Sequence, residues 1–297
     1  METVRNCSDD GRMTTWPVDS PLLTAAALRT LLGSPGLLLV DCRHDLGKPA
    51  SGRQDYAAGH IPGAVFAAVD TDLAAPQRAD TGRHPLPAPA HFATVLGRWG
   101  FSSASRVVAY DQGSGAWAAR LWWMLRARGH AQVQVLDGGL PAWLAAGGSV
   151  DTSAPTIAPT EVEARESTGV VSTAQVAALL AMQGITLFDA RGADRFAGRN
   201  ETVDPVAGHV PGSISMPFAG NLGPDLHFLS ASALRARWAS VVAQADRAPL
   251  VAMCGSGVTA CHNLLALELA GYHDARLYVG SFSEWITDPA RPVVTGE

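Results

Sequence analysis

The sequence predicts an α/β protein made of two tandem copies of one domain, each a parallel sheet flanked by helices. Apolar runs of strand length alternate with helical stretches along the chain, which implies parallel strands covered on both faces. One set of landmarks occurs twice in the same order. The length of 297 residues is about twice that of a usual single domain.

The first copy is placed at residues 18–148. Strand LLLVD and Cys42–Arg43 lead to the motif AGHIPG (58 to 63); then come VVAYD (107 to 111), a GSG turn from 113, the helix AARLWWMLRARG, strand QVQVLD, Gly138 and Trp143. Residues 149–170, rich in Ser, Thr, Pro and acids and lacking periodicity, read as a linker. The second copy, 171–297, repeats the series as ITLFDAR, AGHVPG (207 to 212), LVAMC (250 to 254), GSG from 255, the helix ACHNLLALELAG, RLYVG, Gly280 and Trp285. Trp122, Trp123, Trp143 and Trp285 sit in apolar contexts and read as core.

Composition removes several function classes. Hydrophobic residues make up 47% and charged residues 16%, against disorder or a coiled coil. A formal net charge of -5 leaves no basic field for a nucleic acid. The acidic N-terminal segment does not read as a signal peptide, and no apolar run reaches the ~18 residues of a membrane span, so no membrane partner and a cytoplasmic location are expected. Cys7, Cys42, Cys254 and Cys261 form no Cys-x-x-Cys pair and no zinc-spaced cluster with His. Reduced thiols, no metal and no cofactor are the expectation; Cys42 and Cys261 read as small core residues, and Cys7 as part of a tail.

Cys254 is different. It ends the strand PLVAM and opens CGSGVTA, ahead of an apolar helix. Open α/β sheets bind ligands at that edge. Gly255 and Gly257 let backbone N–H groups turn inward, and the helix dipole adds positive charge, both of which suit a nucleophilic sulfur. The hydroxyls of Ser256 and Thr259 are further donors, with capping of the helix the plainer role for Thr259. In the first copy Asp111 and Gln112 stand where Cys254 stands, so that copy should be noncatalytic. His60 and His209 occupy equivalent turns, and a residue shared by both copies is more simply structural, His209 more than His60.

The duplicated unit, AGHIPG with its second-copy counterpart, and CGSGVTA together resemble the tandem-domain rhodanese superfamily, over about Val18 to Val294. Within it the loop resembles that of the 3-mercaptopyruvate sulfurtransferases, because the basic residues that follow the cysteine in thiosulfate-preferring members are here Gly255 and Ser256. The resemblance implies two rhodanese-like domains and a Cys254 persulfide that receives sulfur from a small-molecule donor and passes it to cyanide or a thiol, either a small thiol or a thioredoxin-like protein. It implies donor binding by the loop residues Gly255, Gly257, Val258 and Thr259 and by Arg195, with Arg199 substituting for a second arginine that Thr202, Val203 and Asp204 do not provide. It also implies a Ser–His–Asp triad in which Ser256 and His60 are matched and the acid lies open between Asp45 and Asp55. Arg191 reads equally as a structural partner of an acid.

Four other readings compete. A thiosulfate:cyanide sulfurtransferase differs in donor only, and a noncatalytic rhodanese-like binding module would not need Cys254. GSGAWA with Asp137 imitates a dinucleotide fingerprint. A tyrosine phosphatase also sets a cysteine between strand and helix, but its phosphate-clamping arginine is here Ala260.

Overall fold

The computed structural model describes residues 20–245 and 248–296; Cys7 and the start of the first predicted domain lie outside them. The first sheet contains β1 (Leu22–Leu23), β2 (Leu37–Asp41), β3 (Val65–Phe66), β4 (Arg106–Tyr110) and β5 (Val133–Leu136) in the order β1-β5-β4-β2-β3. The second contains β6 (Val170–Val171), β7 (Thr186–Asp189), β8 (Ile214–Ser215), β9 (Leu250–Met253) and β10 (Arg276–Tyr278) in the order β6-β10-β9-β7-β8. Every pairing is parallel and the two orders are identical, as a duplicated domain requires.

Helices α1 (Ala25–Leu31), α2 (Ser51–Ala58), α3 (Pro89–Arg98), α4 (Ala118–Arg126) and α5 (Gly139–Ala145) accompany the first sheet. Helices α6 (Thr173–Ala181), α7 (Ala193–Phe196), α8 (Ala231–Ala245), α9 (Ala260–Leu269) and α10 (Ser281–Trp285) accompany the second. The continuous Val and Leu runs of the strands are buried on both faces, as covered parallel strands must be. Trp122, Trp123, Trp143 and Trp285 are all buried, as are Cys42 and Cys261. Burial drives the Cys42 thiol well above its ordinary range and pushes Cys261 up to about 12, so both stay protonated and inert.

The domains share one hydrophobic cluster, in which α4 residues Leu121 and Leu125 join α9 residues Leu264 and Leu265. Arg120, fully buried on α4, donates to the carbonyls of Leu73, His84 and, across the boundary, Gly257 at 3.1 Å. The segment read as a linker lies along the first domain: Thr160 N–H donates to Gly97 O at 3.0 Å and Thr168 N–H to Ala127 O at 2.9 Å.

The repeated motifs build one joint twice. Arg43 pairs with Asp41 and donates to Gly59 O at 2.7 Å; Arg191 pairs with Asp189 and donates to Gly208 O at 2.8 Å. The next residue is a histidine whose Nδ1 meets a helix carbonyl at 2.8 Å, Tyr56 O for His60 and Phe196 O for His209. Each ring stacks at 10° on the residue that supplies that carbonyl. Among the described residues no helix is long and apolar enough to cross a membrane.

Candidate active site

Cys254 follows β9 and is 1% exposed. The loop after it must turn sharply; Gly257 has φ +77°, and a Cβ there would overlap the Val279 carbonyl. This turn points the Gly257 N–H at Cys254 Sγ, 3.1 Å away. The loop is fixed from α10, since Phe282 N–H donates to Cys254 O at 3.0 Å and Ser283 N–H to Gly255 O at 2.8 Å. Val258 turns its side chain into the core, and Thr259 makes no side-chain cap bond to α9.

The first copy shows what this loop geometry holds. The Asp111 carboxylate accepts N–H bonds from Gly113, Gly115 and Trp117 at 2.9 Å and Ala118 at 3.3 Å. The turn is thus an anion nest, filled here by a built-in carboxyl group that burial pushes up against the opposing pull of those N–H bonds, and in the second copy facing a thiol. The same contacts remove the dinucleotide reading: the nest is occupied, and Asp137 accepts Phe228 N–H at 2.9 Å and pairs with His227, leaving no carboxylate for a ribose.

Ser256 is held from the opposite domain, and here the structure corrects the sequence reading. The imidazole that reaches Ser256 belongs to His84, whose Nδ1 is 2.7 Å from Ser256 Oγ and whose Nε2 is 3.0 Å from Asp70 Oδ1. His60 is buried against Tyr56 in its own domain, with Nε2 making no hydrogen bond, because its turn is a structural joint of the repeat. Asp45 and Asp55 are likewise replaced by Asp70. The hydrogen bond from His84 holds the Asp70 carboxyl below its ordinary range, so it is ionised and accepts Nε2–H. Nδ1 is then the acceptor, and the Ser256 hydroxyl donates to it.

Two guanidinium tips border the loop. A methyl group on Gly255 would lie 2.7 Å from Arg83 Nη2 and 3.7 Å from Arg195 Nη2. Both arginines grip the buried Asp204, Arg195 at 2.8 Å, and Arg195 Nε also donates to both Glu201 oxygens at 3.0 Å. Burial pushes the Glu201 carboxyl up, but the bonds from Arg195 and from the N–H groups of Asp204 and Val203 hold it below its ordinary range. Arg195 therefore stands at the loop. Arg199 does not: its side chain is exposed and pairs with Asp194. The second cation is Arg83, positioned by its N–H donating to Ser283 Oγ at 3.0 Å. Arg191 is the buried partner of Asp189.

The comparisons follow the same outline. The family profile for the rhodanese-like domain matches residues 24–146 and 172–288. A probable 3-mercaptopyruvate sulfurtransferase of Pseudomonas aeruginosa is 48% identical over 279 residues, 93% of this chain and 98% of that protein. A putative thiosulfate sulfurtransferase of Mycobacterium tuberculosis is 41% identical over 93% of this chain and 97% of its own length. Among solved structures, the 3-mercaptopyruvate sulfurtransferase of Leishmania major superposes with a TM-score of 0.80 at 31% identity, covering 91% of this chain and 75% of that one. The chain belongs to the rhodanese family, as a member with two rhodanese-like domains similar to the 3-mercaptopyruvate and thiosulfate sulfurtransferases.

Proposed function

We propose that this chain is a sulfurtransferase that moves the sulfur of 3-mercaptopyruvate to a thiol or cyanide acceptor through a persulfide on Cys254, with the second domain catalytic and the first forming the facing wall. The observation that carries the reading is the Asp70–His84–Ser256 chain, which crosses the domain boundary to end two residues from Cys254. In this mechanism the Cys254 thiol proton passes through the Ser256 hydroxyl to His84 Nδ1, and the imidazolium is stabilised by Asp70. The thiolate attacks the donor's sulfur; the S–S bond forms, the C–S bond breaks, and its electron pair becomes the enolate of pyruvate. Ser256 returns the proton to the enolate from His84, and the persulfide keeps the donor's S–H. An acceptor thiolate or cyanide then attacks the outer sulfur and releases the Cys254 thiolate. Arg83 and Arg195 bind the donor carboxylate, and the inward N–H of Gly257 supports charge on sulfur in the way the first-copy nest supports Asp111.

Thiosulfate is the second reading. It is favoured by the relative named for that donor and by the Arg83 tip beside Gly255, a cation suited to a small dianion. Mercaptopyruvate ranks first because the proton relay serves an enolate, which thiosulfate does not form. Steady-state kinetics with both donors on one preparation tests the order: a higher kcat/KM for mercaptopyruvate is expected, and an equal or higher value for thiosulfate reverses it.

A further inference from the structure

We propose that His44, Asp70 and His84 form a binding site for a divalent transition-metal ion of zinc type, and that an ion there withdraws His84 from the proton relay. The three residues come from two separate stretches of the first domain, and one ligand atom from each lies within 4.8 Å of the others. Asp70 Oδ1 is 3.0 Å from His84 Nε2 and 3.9 Å from His44 Nε2. Bonds of about 2.0–2.1 Å at tetrahedral angles set donor atoms roughly 3.3 Å apart. The two separations from Asp70 bracket that value and the His44–His84 pair lies within 4.8 Å, so side-chain rotation about a preformed cluster would close the set.

His44 is the residue that the proton relay does not use. Its side chain is 4% exposed, and its Nε2 makes no hydrogen bond although it faces the Asp70 carboxylate. A buried imidazole nitrogen left without a partner has a cost that a bound ion removes. His44 is also rigidly placed. Gln112 donates to its carbonyl at 2.6 Å and accepts its N–H at 3.4 Å, while the ring meets Trp117 edge to face at 4.6 Å. Burial lowers its pKa, so the ring is neutral and able to ligate at neutral pH. The Asp70 side chain is 41% exposed, which gives the ion an approach from solvent and leaves room for water as a fourth ligand.

Two imidazoles and one carboxylate suit zinc and its neighbours in the first transition row better than calcium or magnesium. Binding at His84 Nε2 would move that ring's proton to Nδ1, with no proton lost. Nδ1–H would then donate to Ser256 Oγ, and His84 would have no nitrogen left to accept a proton.

The test removes Cys254, since its thiol is a rival soft ligand. Calorimetric titration of the Cys254→Ser protein with zinc chloride should show one ion bound per chain. Adding His44→Phe should weaken it by more than the about 10- to 100-fold that loss of an outer partner costs. No zinc binding to Cys254→Ser, or equal affinity with and without His44→Phe, overturns the site. Cobalt(II) bound to Cys254→Ser alone gives an answer that does not depend on the His44 variant folding: visible bands of a low-coordinate nitrogen and oxygen site support it, and an aquo-like spectrum overturns it. With Cys254 intact, His44→Phe should raise the zinc concentration for half-inhibition at least tenfold; an unchanged value refutes the effect on the relay. Because the binding arms use no sulfur donor, they stand or fall separately from the proposed reaction.

Discussion

Arg83 offers the sharpest test of the donor site, because it comes from the domain that lacks the cysteine. Its tip and that of Arg195 flank Gly255 while sharing Asp204. A charge-assisted hydrogen bond is worth about 1.5–3 kcal/mol, so Arg83→Ala should lower kcat/KM for mercaptopyruvate about ten- to more than a hundredfold. Asp204 keeps Arg195 in the variant, so the buried carboxylate is not stranded and the fold should survive. Arg83→Lys should restore only part, since an ammonium lacks the planar fork. The two guanidinium groups would act on one carboxylate, so Arg83→Ala and Arg195→Ala together should cost less than the product of the single losses. The assay is pyruvate release at varied donor concentration, with thermal melting as the control for folding. A folded Arg83→Ala enzyme within twofold of wild type in kcat/KM would falsify the first domain's part in donor binding.

Other outcomes follow from the same geometry. Cys254→Ser should abolish turnover, and intact-mass measurement after incubation with donor should show no added sulfur atom; an added atom would move the persulfide to another thiol. His84→Ala should lower kcat by about 10²- to 10⁴-fold as a lost acid–base group, whereas His60→Ala should lower the melting temperature and leave kcat/KM within about threefold; reversed results would restore His60 as the relay. Burial beneath Phe228 lowers the His262 pKa from 6.5 to about 3. The unfolded chain then binds one more proton between those values, so His262 makes stability fall as pH drops through that window. Urea midpoints of His262→Gln should decline less steeply there than those of wild type, and parallel curves would sink the assignment.

The fold was legible because duplication is a sequence property: the paired LLLVDCR and TLFDAR strands and the two GH turns imposed one strand order on both halves. Cys254 was legible because a glycine-turned loop between strand and helix is local. His84, Asp70 and Arg83 were not, since they lie in the irregular segment between β3 and α3 and meet Ser256 and Gly255 only after α4 docks on α9. The repeat itself misdirected the choice of histidine, because His60 stands out by recurring, and recurrence reports the Arg–Asp–Gly joint. The GRHPLP run ahead of α3 was the available signal: an unrepeated histidine beside an arginine and a proline in a loop. Arg199 failed for a simpler reason, since it lies past the end of α7 and pairs at the surface with Asp194 of that helix.

Arg120 gives this arrangement an evolutionary direction. A tandem duplication begins with two equivalent halves, either of which can be lost without penalty. Here one half has fixed a carboxylate in its nest while supplying the guanidinium that holds the other half's Gly257 carbonyl and the backbone of His84. The other half has kept the thiol, and it is that half's loop serine which meets His84. Under the proposed mechanism neither half retains a complete set, so the original redundancy has become mutual dependence, and the ancestral step back to a single domain is closed.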